Sequence, residues 1–218
     1  MLRSTETASG KGFTLLETLV ALFVLAVGVL ATAVLAGRTM STGRQSKYMS
    51  LATTLASEKL EDLSRWDFRN PNVCVQSTDT SEGSITSDTA AKAITCPTGA
   101  SGTVAYYDWI YMNTTGSSDC PNTTYGCFME TVYNSTNSNY ATVYHSPDGT
   151  ITLTSSTTAP TSSGITFDRR WVIEANPVVN TTSGTVTLTG SRRITVYVLL
   201  MDATVQPPVS FQMSTIRP

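Results

Sequence analysis

Between Phe13 and Ala36 the chain runs for 24 residues with a single ionisable side chain, Glu17. As a helix rising 1.5 Å per residue this stretch would be about 36 Å long, enough to cross a hydrocarbon core of about 30 Å. Residues 1–12 ahead of it are polar, carry Arg3, Glu6 and Lys11, and read as a leader outside the folded structure. The segment can therefore span a membrane, and any globular core has to be built from the residues beyond Ala36.

Three uses of such a segment place different demands on Glu17. A cleaved secretory signal needs an unbroken apolar centre and a small-residue cleavage site, for which Ala31-Thr-Ala33 or Val34-Leu-Ala36 could serve. A permanent anchor needs only length. Neither gives Glu17 a purpose, although a carboxylate near the bilayer centre costs about 2.5 kcal/mol or more and calls for a cationic partner.

The residues around it, Gly12-Phe13-Thr14-Leu15-Leu16-Glu17, resemble the type IV prepilin signature: a basic residue, Gly, an aromatic, then an apolar run with Glu five residues into the processed chain. The resemblance implies that a prepilin peptidase cuts between Gly12 and Phe13 on the cytoplasmic side and that the new amine of Phe13 is N-methylated. Gly12 has no Cβ to obstruct the protease. The new α-amino cation would meet Glu17 of an adjacent subunit, making Glu17 an assembly charge that disfavours misregistered subunits at low dielectric. The implied partners are other pilin subunits, the prepilin peptidase/methylase and an inner-membrane pilus assembly platform. The implied location is the bacterial inner membrane, single pass with the globular part periplasmic, and then the pilus or cell surface. Arg38, Arg44 and Lys47 after the span outnumber Arg3 and Lys11 before it, against the positive-inside preference, so the orientation rests on the cleavage motif.

After Gly37 the sequence stays helix-compatible to about Trp66. Tyr48, Leu51, Ala52, Leu55, Ala56, Leu60 and Leu63 recur at helical spacing, while Arg44, Lys47, Glu58, Lys59 and Glu61 are expected to face water. One helix of about 50 residues is expected, with a possible break near Gly37 or Gly43. Short β-forming segments come next, at Thr103–Met112, Cys127–Tyr133, Tyr140–His145, Ile151–Thr154, Ile165–Ala175, Thr185–Thr189, Arg193–Met201 and Val209–Thr215, with Ser146-Pro-Asp-Gly149 marking a turn. Helix first and strands afterwards give an α+β domain, a long helix packed on an antiparallel sheet. The expected division is a cleaved leader at 1–12, a membrane or filament-core helix at 13–36, its amphipathic continuation at 37–67 and a β-rich periplasmic domain at 68–218.

Within the pilin class the C-terminal third is similar to PilV-type minor pilins, through Arg169-Arg-Trp-Val-Ile173, Arg193-Ile-Thr-Val-Tyr-Val198 and the strand from Val209 to Ile216; the apolar wording from Thr18 to Leu30 is close to that subgroup too. Leu199-Leu-Met201 stands where those proteins commonly carry a Trp. The similarity implies a structural subunit in or at the tip of a pilus, supporting assembly, adhesion, twitching motility or DNA uptake. A minor pseudopilin of a type II secretion system shares the leader motif. An exported binding protein with a conventional signal or anchor is the alternative from another class.

Composition narrows the chemistry. A formal charge of -2, with no basic run interleaved with aromatics, does not indicate nucleic-acid binding. The stretch from Asn70 to Gly164 is rich in Thr, Ser, Asn and Gly and contains Cys74, Cys96, Cys120 and Cys127, which fits export to an oxidising compartment. Four cysteines allow three connectivities. A local Cys120–Cys127 loop across turn-forming Pro, Asn and Gly, leaving Cys74 with Cys96, is favoured. No Cys-x2-Cys pair exists and His145 is the one histidine, so no metal ligand set is named; no triad, nucleophile elbow or phosphate loop is present, so no catalytic residue and no cofactor is named. Asp67, Asp108 and Asp168 read as structural acids, and Trp66, Trp109 and Trp171 as packing residues rather than a ligand platform. Asn113, Asn122, Asn134 and Asn180 satisfy the glycosylation pattern but indicate only a polar surface.

Overall fold

The computed structural model describes residues 14–115, 127–145, 149–160 and 165–218, with the side chains of 113–115, 127, 128 and 145 left aside. It divides into two compact units, the first ending at Arg44 and the second running Gln45–Pro218. One helix, α1 (Leu15–Arg65), runs through both, without a break at Gly37 or Gly43. Each of these glycines costs up to about 1 kcal/mol relative to Ala, a cost the helix absorbs without interruption. The hydroxyls of Thr18, Thr32 and Thr39 donate back to the carbonyls of Leu15, Val29 and Ala36. In the apolar half of α1 these polar groups are therefore satisfied inside the helix, as a lipid-exposed segment requires.

The second unit pairs the end of α1 with a sheet. Its strands in chain order are β1 (Ser81–Gly83), β2 (Lys92–Thr95), β3 (Ser101–Val104), β4 (Tyr107–Thr115), β5 (Cys127–Asn134), β6 (Asn139–His145), β7 (Ile151–Ser156), β8 (Ile165–Ala175), β9 (Val178–Thr181), β10 (Gly184–Thr187), β11 (Arg192–Leu200) and β12 (Ser210–Arg217). The main sheet has the order β12-β11-β8-β4-β5-β6-β7, every neighbour antiparallel. Strand β8 is its axis. One edge pairs along its length with β11; the other is shared between β4, over Ile165–Arg170, and β1, over Val172–Glu174. Two hairpins, β2-β3 and β9-β10, lie outside this sheet.

Alternation sorts the strands into two faces. Ile110 and Met112 of β4, Phe167, Trp171 and Ile173 of β8, and Ile194, Val196 and Val198 of β11 are buried in one cluster with Tyr48, Ala52, Leu55, Ala56 and Leu63 of α1. Ala52 and Ala56 have no exposed surface, so the helix approaches the sheet through its smallest side chains. The fold is the expected α+β arrangement of a long helix packed on an antiparallel sheet. Strand β1 reaches β8 only because Gly83 has φ +87 and no side chain: a Cβ there would lie 2.3 Å from the Trp171 carbonyl oxygen.

Three expectations change. The single strand expected over Thr103–Met112 is split at Ala105–Tyr106, with β3 pairing to β2 and β4 joining the main sheet. The strand expected at Thr185–Thr189 is the second arm of a β9-β10 hairpin. Lys59, expected to face water, is half-buried with its side chain 16% exposed, while Arg44, Lys47, Glu58 and Glu61 are exposed.

Candidate functional site

At the start of α1, Thr14 lies just outside the helix and its hydroxyl accepts a hydrogen bond from the Glu17 backbone N–H at 3.3 Å. The spacing Thr14-x-x-Glu17 is that of a capping box, which holds a carboxylate in the first turn where the helix dipole favours negative charge. The Thr14-x-x-Glu17 spacing is the signal by which this cap could have been found, and it gives Glu17 a local place at the start of α1. Gly12 and Phe13 lie outside the described residues.

From Leu15 to Leu35 every large apolar side chain is at least half exposed, from Val20 at 52% to Leu15 at 82%. Such a surface far exceeds the isolated apolar patches of soluble monomers. The helix is long and apolar enough to cross a membrane. Chemically, this half of α1 is a rod whose cover must come from lipid or from other chains, with one carboxylate near its start.

Residues 8–33 match the prokaryotic N-terminal methylation motif. No curated protein and no solved structure matches the chain. The motif supports a type IV pilin or pseudopilin, a structural subunit rather than an enzyme, and the pilin-like architecture agrees with it. It also implies encounters with a prepilin peptidase and with other pilus components, and the apolar helix is consistent with membrane anchoring.

Within the second unit, the packing of the end of α1 on the sheet is polar at its centre. Arg169 of β8 donates through Nε and Nη2 to both carboxylate oxygens of Asp108 on β4, at 2.8 and 2.9 Å, and through Nη1 to the Leu55 carbonyl of α1 at 3.1 Å. Lys59, one turn further along α1, places its ammonium 3.6 Å from Asp108 and 4.0 Å from the centre of the Trp171 ring. Burial holds the Lys59 amine below the usual lysine range, while Asp108 opposes that shift. The Arg169 guanidinium stays above its ordinary value, because the attraction and hydrogen bonds of Asp108 overcome the effect of burial. This group lines one wall of a cavity of about 270 Å³ that also touches Asp62, Trp66 and Asn72.

A second polar group lies beyond the helix. Cys74 and Cys96 are joined by a disulfide across 22 residues of sequence. Inside that loop the buried Glu82 accepts from Lys92 at 2.9 Å and from the Gln76 side chain at 3.2 Å. The Cys120–Cys127 pairing lies outside the described residues. Among the described residues no group of three or more His, Cys, Asp or Glu gathers as a metal site.

The other sheet face carries aromatics. Trp109 stacks on Tyr133 at 5.1 Å between ring centres, and Tyr107 and Tyr140 adjoin that pair. Of the tryptophans, only Trp171 lies in the buried core; Trp109 sits on the face away from α1 and Trp66 is 41% exposed. Beside Trp109 in register, Asp168 is 1% exposed. Burial, helped by nearby Asp88 and opposed by Arg170, pushes its carboxyl up to about 6. Sequence reasoning missed the Arg169, Asp108 and Lys59 group; its available signal was charge at inward-facing positions of two β-segments.

Proposed function

We propose that this chain is a minor type IV pilin of the PilV-like kind, cleaved between Gly12 and Phe13, N-methylated on Phe13 and built through α1 into a pilus or its tip. Its partners are other pilin subunits, the prepilin peptidase/methylase and an inner-membrane assembly platform. In this reading residues 1–12 are the leader, 13–36 the membrane and later filament-core segment, 37–67 its amphipathic continuation and 68–218 the periplasmic domain. Before assembly the subunit sits in the inner membrane; afterwards it lies on the cell surface, supporting pilus assembly, adhesion, twitching motility or DNA uptake.

The observation that carries the proposal is the exposed apolar rod with its lone Glu17 inside the methylation motif at residues 8–33. The α-amino cation of a processed Phe13 and Glu17 of a neighbour would neutralise each other in a medium where either alone is costly. Mass spectrometry of the mature N-terminus tests this: an N-methylated Phe13 is expected, and a start near Gly37 or a retained Met1 would overturn it. Deleting the gene separates pilus from secretion system. Loss of piliation with normal protein export is expected; the reverse pattern assigns the chain to a secretion pseudopilus.

A further inference from the structure

The main sheet has two open ends. On its free side β12 faces no other strand, and β7 likewise, among the described residues. Open edges present rows of unpaired N–H and C=O groups, and proteins normally blunt them with charge, Pro or a covering element. Strand β7 reads Ile-Thr-Leu-Thr-Ser-Ser, with no charge and no Pro, and Ile151 and Leu153 are 65% and 69% exposed. Strand β12 carries one charge, Arg217, at its last position.

The two edges share one pattern on matching faces. Following the register across the sheet, Leu153 opposes Val143 and belongs to the helix-packed face, as do Phe211 opposite Val198 and Met213 opposite Val196. The opposite face carries Thr152 and Thr154 at one edge and Gln212 and Ser214 at the other, with Ile216 beyond them near the end of β12. Joining β7 to β12 with Leu153 beside Phe211 and Met213 would set apolar beside apolar and hydroxyl or amide beside the same, which disfavours a one-residue slip.

Strand direction narrows the partner further. Six successive antiparallel steps link β12 to β7, so the two edge strands run the same way. Subunits that enter one filament from one membrane share an orientation, and between like-oriented copies β7 meets β12 in parallel. A contact of two different surfaces repeats without closing, which is what a filament needs. Six paired residues bury far less than the ~1,600 Å² of a free-standing stable interface. The pairing thus depends on anchored helices holding copies at high effective concentration.

We propose that β7 of one subunit pairs in parallel with β12 of a second copy of this chain, extending the sheet sideways; this rests on the pilin reading above. The test places the photocrosslinking residue p-benzoylphenylalanine at position 154, replacing Thr154, in the full chain expressed in its own cells, and maps the adduct by peptide mass spectrometry. Six strand spacings of about 4.8 Å put a subunit's own β12 roughly 29 Å away, so an adduct there comes from another copy. An adduct on Ser210–Arg217 is expected, and Leu153→Lys should reduce it at least tenfold while leaving the Cys74–Cys96 bridge formed. An adduct on β7 of the partner, on a different protein, or none, in cells where Phe13 is correctly processed, overturns the pairing and leaves the pilin reading standing. An unprocessed leader overturns both.

Discussion

Replacing Asp108 with Ala tests whether the buried ion pair ties helix to sheet. The change removes both charge-assisted hydrogen bonds from Arg169, at 2.8 and 2.9 Å, and leaves only its 3.1 Å bond to the Leu55 carbonyl. At about 1.5–3 kcal/mol per bond to a charged group the loss is about 3–6 kcal/mol, in line with about 3–5 kcal/mol for stranding one partner of a buried pair. The ammonium of Lys59 adds to the stranded positive charge. Against a typical total of about 5–15 kcal/mol, the variant keeps little margin. The converse substitution is Asp108→Leu with Arg169→Met, which removes both charges and fills the space with apolar atoms; it should recover most of the loss, since such replacements are often neutral or stabilising. The assay is urea unfolding of the full-length protein in detergent, followed by tryptophan fluorescence with Trp171 beside the group as reporter. A loss below about 1 kcal/mol for Asp108→Ala, or a double variant weaker than the single, would refute the assigned role.

Other outcomes are expected from the same structure. Asp168 has a folded-state carboxyl pKa of about 6, above its unfolded value of 3.8. The native state therefore binds the proton first, and stability should rise by roughly 1 kcal/mol between pH 7 and pH 5, a slope that Asp168→Asn should flatten in pH-dependent unfolding. Opening the Cys74–Cys96 loop by a Cys74→Ser, Cys96→Ser double change should cost about 3 kcal/mol, read by the same unfolding curves. Gly83→Ala forces a Cβ against the Trp171 carbonyl at a positive φ, and should cost at least about 2 kcal/mol or detach β1, detected as faster amide exchange at Val172–Glu174. Glu17→Ala should leave leader removal intact while sharply lowering incorporation into filaments, measured as the sheared-pilus fraction; normal incorporation would remove the assembly role proposed for that carboxylate.

The parts of the fold that were legible were those with a strong local period. The helical spacing from Tyr48 to Leu63 carried α1 to within a residue or two of its end, and the Val-rich and alternating segments marked β8, β11 and β12, because a half-buried strand records its burial every second residue. Strands β1, β2 and β9 escaped because three or four residues such as Ser-Glu-Gly carry no period, and tertiary pairing alone makes them strands. The methylation motif at residues 8–33 was readable from Gly12 to Glu17 because a charge in an apolar run is conspicuous. Lys59 was misread for the opposite reason: on an amphipathic helix a lysine looks solvated unless the acid it approaches, here 49 residues away on β4, is known in advance. Asp108 and Arg169 were hidden in the same way, by a separation of 61 residues.

The Cys74–Cys96 bridge has a mechanical consequence. A pull on the end of α1 strong enough to strip its buried face from the sheet would next reach the chain past Arg65, and without the bridge it would draw on the whole chain leading to β3. With the sulfurs joined, tension passes from Cys74 straight to Cys96 and bypasses the intervening segment, including β1 and Glu82. About 75 Å of extensible contour is thereby taken out of the load path. The bridge thus shortens the tether, and a reductant would let out that slack by stripping β1 from β8 while leaving the pairing from β12 to β7 in place.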